Sequence, residues 1–238
     1  MRCKAPDAAQ TTLNGFMQKV EHTTAVLKET AAAEPRMIED FIAKPNPVLA
    51  MEVGSRIGKV WDAIYHRNAK IYEFADVILS VLEQREDDYM AAIKGMDREK
   101  LTGYSRMFGE LMAFFMDGNY GDPLGNFYMN HISHGKGGEF FTPFHIAHFM
   151  AQMLDPKPED KNLDPCCGTG TMLIAARCVI HQKHGWIASS QYGRNIYGVD
   201  INGDIVKLAQ INMYLTDYVF MMGLMADHAL KFMNKDAQ

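Results

Sequence analysis

The sequence contains few cysteines, and none has the spacing of a metal site or a redox site. There are four among 238 residues, at Cys3, Cys166, Cys167 and Cys178. Cys166 and Cys167 are adjacent, whereas zinc fingers and thioredoxin-like sites use a Cys-x-x-Cys spacing. We therefore expect reduced thiols, which are typical of the cytosol.

An excess of positive charge is also lacking, because the formal net charge is −5. A protein that holds nucleic acid through an overall basic field has the opposite balance. Any contact with nucleic acid would therefore need a local patch or a more basic partner.

Long apolar runs are absent as well. Residues Met1 to Val20 contain no apolar core of the signal-peptide type. The longest strongly apolar run, Val219 to Ala226, is too short to span a bilayer. We expect a soluble, cytoplasmic protein with no membrane partner.

The most informative stretch that is present runs from Asn162 to Met172. It predicts a short strand that ends at Asp164, a Gly-x-Gly turn at Gly168 and Gly170, and a helix from Met172 to His184. Glycines allow close backbone approach, and the first N–H groups of a helix can bind a ligand. A lone Gly-x-Gly is also common in ordinary turns, so both interpretations stay open.

Further elements of the same kind follow along the chain. A loop is predicted from Gly185 to Asn195, then a strand from Ile196 to Asp200, a helix from Gly203 to Leu215 and a strand from Val219 to Leu224. The order from residue 162 is β-α-β-α-β, which predicts a parallel α/β sheet.

Each of the three predicted strands is followed by an acid: Asp164, Asp200 and Asp227. Ligands of open α/β sheets bind at the carboxyl ends of the strands, and an acid after the second strand is suited to ribose hydroxyls. Leu173 replaces the third glycine of the dinucleotide motif, which favours a nucleoside without a pyrophosphate. Alternatively, each acid caps the element after it.

The first half of the chain has a different pattern, with apolar residues at helical spacing from Val48 to Met116. Three such stripes predict a helical core; they are Ile57, Val60, Trp61, Ile64 and Tyr65; Ile71, Phe74, Ala75, Ile78, Leu79 and Leu82; and Leu101, Tyr104, Met107, Phe108, Leu111, Met112 and Phe115. A dense turn segment, 117–125, marks the predicted boundary between a helical domain (residues 1–117) and a second domain (118–238).

Two helices are predicted between this boundary and the glycine loop. The first runs from Asn126 to Ile132. The second runs from Pro143 to about Leu154, with Thr142 as its N-cap and Pro143 in its first turn.

Four segments together resemble S-adenosylmethionine-dependent N6-adenine DNA methyltransferases, especially the modification subunits of type I restriction systems. They are Gly-Asp-Pro-Leu-Gly at 121–125, Gly-Glu-Phe-Phe-Thr-Pro at 138–143, Leu-Asp-Pro-Cys-Cys-Gly-Thr-Gly at 163–170 and Tyr-Gly-Val-Asp-Ile-Asn at 197–202. The resemblance covers residues 118–230. It implies a partial class I (Rossmann-like) methyltransferase sheet after the helical domain, hence an α/β fold.

The resemblance also implies roles for individual residues around S-adenosylmethionine. Asp200, at a position where the family usually has Glu, would bind the ribose hydroxyls, Ile201 would pack on the adenine, and Asp227 would accept from its amino group. The amino-acid and ribose portions would be held by Asp164, Gly168, Thr169 and Gly170. The methionine end would contact Glu139, Phe140, Phe141, Thr142 and Pro143, and Gly138, which begins this motif, is also expected among the cofactor-binding residues.

One family motif is missing from these residues. Methyl transfer in the family requires an Asn/Asp-Pro-Pro-Tyr/Phe motif that holds the flipped base, and the sequence contains no Pro-Pro pair. No catalytic residue is therefore predicted. The chain is expected to be one part of a split methyltransferase, an inactive cofactor-binding or interaction protein, or a truncated product.

A partial sheet would leave the strand at 161–164 with an unpaired edge, which proteins rarely expose. We therefore expect a second polypeptide or self-association to cover it, and DNA to be reached through a complex.

Two histidine pairs, His131 with His134 and His145 with His148, have a spacing that metal ligands can use. They flank a motif with its own implied role, and no cysteine is close in sequence. Histidines that face solvent or phosphate are the simpler interpretation, so no metal is predicted.

Overall fold

A computed structural model describes residues 44–133 and 141–217, except the side chains of Lys44 and Trp186. Most of these residues are helical. The helices are α1 (Pro47–Tyr65), α2 (Ile71–Leu82), α3 (Glu86–Ile93), α4 (Arg98–Met116), α5 (Pro123–Phe127), α6 (Phe144–Leu154), α7 (Thr171–Gly193) and α8 (residues 203–217). The strands are β1 (Lys44–Pro45), β2 (Asn119–Tyr120), β3 (Asn162–Asp164) and β4 (Ile196–Gly198).

The predicted helical stripes form the core of the first half. Most of their residues are buried, including Phe74 and Leu111, whereas Tyr65 at the end of α1 is 65% exposed. The buried cluster continues into α7 and α8, as far as Leu215. None of the helices in the described ranges combines the length and the apolarity that a bilayer crossing requires.

Strands β3 and β4 pair in parallel, with Asn162 opposite Ile196 and Asp164 opposite Gly198. Helix α7 is the crossover between them, and Ile174 and Val179 on α7 are fully buried. The predicted parallel pairing of these two strands is therefore confirmed. The third predicted strand, Val219 to Leu224, lies outside the described residues.

The predicted loop from Gly185 to Asn195 is wrong. The backbone leaves helical geometry at Gly185 (φ 78°, ψ −172°) and then continues as helix to Gly193. The second part is held by packing, because Ser189 and Tyr192 are fully buried. Glycine and paired serines make this segment look like a loop, but tertiary burial overrides that local preference.

Two helix starts differ from the prediction. Helix α5 begins at Pro123, with Asp122 as its N-cap, and continues as a π-helix over Tyr128–Ser133. Helix α6 begins at Phe144, and no side chain caps it, so Thr142 is not its N-cap. Its predicted end at Leu154 is confirmed.

Candidate functional site

The turn between β3 and α7 is built on two glycines with left-handed backbone geometry. Gly168 has φ 52° and Gly170 has φ 88°, a region that costs most side-chain-bearing residues free energy. A Cβ atom on Gly168 would also lie 3.2 Å from the Phe141 ring. The turn delivers the chain into α7, whose first N–H groups have no partner within the helix. We call residues 166–171 the glycine loop.

Two carboxylates hold the glycine loop against the ends of the strands. Asp200 accepts hydrogen bonds from the Gly168 N–H (3.0 Å) and the Asn202 N–H (2.9 Å). Asp164 accepts from the Cys166 N–H at 3.0 Å. An ionised carboxylate has about four acceptor positions. Both acids are only partly buried, and both retain capacity for a ligand.

A third carboxylate, Asp122, supports the glycine loop from within the protein. One of its oxygens accepts from the hydroxyls of Thr169 and Thr171. The other accepts from the Gly125 N–H and the Asn212 side-chain amide, both at 2.7 Å. These contacts join α5, the glycine loop and α8.

Burial raises the pKa of Asp122 above its ordinary value, and the hydrogen bonds from Thr169, Thr171, Gly125 and Asn212 act in the opposite direction. The side chain is only 4% exposed. Because all four partners donate to it, the ionised carboxylate is the form that this arrangement satisfies.

An aromatic pair forms one side of the loop. The rings of Tyr128 and Phe141 lie 5.7 Å apart. The Tyr128 hydroxyl lies 3.5 Å from the Asn202 side-chain amide. The predicted contact residue Phe141 is therefore connected both to Gly168 and to the segment after β4.

Cys167 lies inside the loop, and its thiol is not a candidate nucleophile. Burial raises its pKa to about 11, and the negative charges of Asp164 and Asp200 act in the same direction. A thiol with such a pKa stays protonated at neutral pH, and the thiolate is the reactive form.

The structure brings many of the predicted site residues together around this loop. Asp164, Gly168, Gly170, Asp200 and Phe141 meet through the contacts above, and Thr142 and Pro143 follow Phe141. The hydroxyl of Thr169 faces Asp122 and its carbonyl accepts from Asn212 at 3.0 Å, so its side chain turns inward. Ile201 is fully exposed. Gly138, Glu139, Phe140 and Asp227 lie outside the described residues.

Sequence reasoning assigned no role to Asp122, Thr171, Asn212 or Tyr128. Asp-Pro at 122–123 is a recognisable helix start, with a cap followed by proline at the first position. This pattern predicts that Asp122 caps a helix. It does not predict the side chains that Asp122 contacts, which lie 47 to 90 residues away in sequence.

A cavity of about 460 Å³ adjoins the loop on the side of β3. Asp164 and Pro165 line it together with apolar side chains, including Leu154, Leu163 and Leu173. Leu154 and Leu163 are largely exposed there, at 76% and 61%.

Three of the four paired histidines, His131, His145 and His148, lie in the part of the chain that the structure covers. His131 contacts Asp62 at 3.2 Å, and His148 contacts Gln182 at 3.3 Å. No group of three metal-ligating side chains occurs among these residues. His134 lies outside the described residues.

Comparison with protein families finds a match for the region that contains the glycine loop. Residues 121–231 match the family described as N-6 DNA Methylase. This part of the chain is similar to N-6 DNA methylases. The matched residues include Asp122, the glycine loop, strands β3 and β4, and helix α8.

Curated relatives also match part of the chain. The chain is 34% identical over 104 residues to the type II restriction enzyme and methyltransferase RM.BcgI of Heyndrickxia coagulans, covering 40% of this chain and 16% of that protein. It is 36% identical over 72 residues to the type I restriction enzyme EcoEI methylase subunit of Escherichia coli, covering 29% and 14%. It is 32% identical over 80 residues to the MjaVII methylase subunit of Methanocaldococcus jannaschii, covering 34% and 13%.

The matches therefore span only a small part of each of these relatives. No solved structure matches the chain.

Proposed function

We propose that the glycine loop binds S-adenosylmethionine. The observation that carries this proposal is the Asp200 carboxylate, which is fixed to the loop through the Gly168 N–H at 3.0 Å. This hydrogen bond keeps the Asp200 carboxylate, an acceptor suited to ribose hydroxyls, next to the glycine loop.

The charges around the loop favour this cofactor over a dinucleotide. Asp164 and Asp200 both lie at the loop, and their negative charges contribute to the raised pKa of the Cys167 thiol. Two carboxylates repel a pyrophosphate, whereas they attract a ligand with an amino group, a sulfonium and ribose hydroxyls. The N-6 DNA methylase family supports the same donor, since methylation needs a methyl source.

We propose further that the chain is the cofactor-binding part of an adenine-specific DNA methyltransferase of a restriction–modification system. Its relatives are named as methylases and methylase subunits of restriction enzymes. DNA is the substrate, and the net charge of −5 favours contact with it through a complex.

Calorimetric titration with S-adenosylmethionine tests the cofactor proposal, with Asp200→Asn as the variant. The wild-type chain should bind one equivalent, and the variant roughly ten- to a hundredfold more weakly, since it loses a charged acceptor worth about 1.5–3 kcal/mol. Asp117→Asn, at an exposed position after α4, is the control and should bind as wild type. Absence of binding by the folded wild-type chain at millimolar cofactor would refute the proposal.

A further inference from the structure

Asp122 is a buried carboxylate that the proposed cofactor contacts do not use. It is 4% exposed and its oxygens are surrounded by protein groups. It is therefore not a cofactor ligand. The role of Asp122 has to be sought in how its hydrogen bonds fix the groups that donate to it.

Its partners place it across the turn of the glycine loop. Thr169 and Thr171 flank Gly170, whose φ of 88° turns the chain into α7. Both hydroxyls donate to the same oxygen of Asp122. One carboxylate oxygen thus holds both sides of the turn.

The other oxygen connects the turn to two further elements. It accepts from the Gly125 N–H at the start of α5 and from Asn212 on α8. Asn212 also donates to the Thr169 carbonyl at 3.0 Å. The position of the turn is therefore set relative to two helices that are distant in sequence.

The charge of Asp122 is costly to bury. Its pKa is raised above the ordinary value, with burial as the main cause. The ionised form thus lowers the stability of the folded chain at neutral pH relative to a group with an unshifted pKa. Since the net effect of the charge on stability is unfavourable, its benefit has to be sought in the geometry of the loop.

We propose that Asp122, as an ionised carboxylate, is a positioning residue that fixes the S-adenosylmethionine loop through the hydroxyls of Thr169 and Thr171. This inference rests on the proposed function of the loop. Asp122 acts without contacting the cofactor.

Variants of Thr171 test the contact while leaving the carboxylate in place. Thr171→Val keeps the shape of the side chain but removes the hydroxyl, and Thr171→Ser retains the hydroxyl. Thr171 is 5% exposed, so neither change alters the open surface of the site. Affinity for S-adenosylmethionine should fall about tenfold in the valine variant, as expected for loss of a charge-assisted hydrogen bond, and should be restored by serine.

Asp122→Asn tests the charge. The two threonine hydroxyls can turn to accept from the new amide, so the variant should fold. Charge-assisted bonds are about twice as strong as neutral ones, and the variant should bind S-adenosylmethionine several-fold more weakly. Asp97→Asn is the matched control, because Asp97 is also a helix N-cap, accepting from the Lys100 N–H of α4.

The pH dependence of S-adenosylmethionine affinity separates the effect of the Asp122 charge from the effect of the side chain's shape. The groups that face the Asp122 oxygens are two hydroxyls, a backbone N–H and an amide, none of which titrates near neutral pH. Wild-type affinity should fall as the pH decreases through the raised pKa of Asp122, and this part of the fall should be missing in Asp122→Asn.

Hydrogen exchange of the loop amides gives a readout that does not need the cofactor. Residues 166–171 should exchange faster in Asp122→Asn and Thr171→Val, but not in Asp97→Asn. If the wild-type chain binds no S-adenosylmethionine while these rates change, the proposed function fails and the positioning role stands. If wild-type protein binds and the Thr171→Val and Asp122→Asn chains bind equally well with unchanged exchange, the positioning role is overturned. Should Asp122→Asn not fold, the valine and serine pair decides.

Discussion

At the scale of single residues, His181 is buried in an environment that disfavours its charged form. It is 7% exposed on α7. Burial lowers its pKa to about 4, and the nearby positive charge of Arg177 acts in the same direction. His181 is therefore neutral in the folded chain at pH 7.

This shift predicts a loss of stability in mild acid. An unfolded histidine has a pKa of about 6.5, so the unfolded chain binds more protons between pH 6.5 and 4, and stability decreases as the pH falls through that window. The contribution amounts to up to about 3 kcal/mol near pH 4. His181→Gln should remove this part of the pH dependence, measured by urea unfolding at several pH values.

His184→Gln is the control for this measurement, because His184 is exposed on the same helix. Its profile should match that of the wild-type chain. An unchanged profile in His181→Gln would show that His181 is not responsible for the acid sensitivity.

At the scale of elements, the approach of α5 to the glycine loop depends on Gly125. A Cβ atom at this position would lie 2.2 Å from an Asp122 oxygen and 2.6 Å from the Thr169 hydroxyl oxygen. Neither neighbour can move freely, since both are buried and hydrogen-bonded to each other. The helix and the loop can approach this closely only without a side chain there.

Gly125→Ala should therefore destabilise the chain by about 1–3 kcal/mol, the usual cost of overpacking a buried site. Gly109→Ala on α4 is the matched control, because nothing lies within 4 Å of its added Cβ. In that exposed helix position alanine should stabilise by up to about 1 kcal/mol. Thermal unfolding of both variants gives the comparison, and equal melting temperatures would contradict it.

The sequence predicts some elements well because their cause is local. The stripe from Leu101 to Phe115 repeats at helical spacing and forms the buried face of α4. The acids Asp164 and Asp200 are recognisable because each closes a short apolar stretch, although β4 itself ends at Gly198, two residues before Asp200. The helix after Gly185 was not predicted, because its stability comes from burial of Ser189 and Tyr192 rather than from local preference.

The candidate site is only partly predictable for the same reason. Gly168, Gly170 and Asp200 belong to local patterns with a known backbone use. The contact between Asp122 and Asn212 joins residues 90 positions apart, and no periodicity or turn signal encodes such a pair. Side-chain networks of this kind become visible only when the elements are packed.

At the scale of the whole molecule, binding and methyl transfer should separate. The 238 residues contain no Pro-Pro pair, and transfer to adenine needs residues that hold the flipped base. We expect this chain alone to bind S-adenosylmethionine but to form no N6-methyladenine in unmethylated DNA. Incorporation of label from methyl-labelled cofactor measures this, with cofactor binding by the same preparation as the control. Methylated adenine formed by this chain alone would contradict the expectation.

The span between Asp122 and Asn212 also has a consequence for the order of folding. Helices α1 to α4 all lie within residues 47–116, so they can pack against one another before the glycine loop has been synthesised. The glycine loop cannot acquire its full support until residue 212 has left the ribosome, because α8 supplies part of it. During synthesis the N-terminal helices can therefore pack while the loop is still without a fixed shape. The ability to hold a ligand should appear late, when the last of its supporting helices is complete.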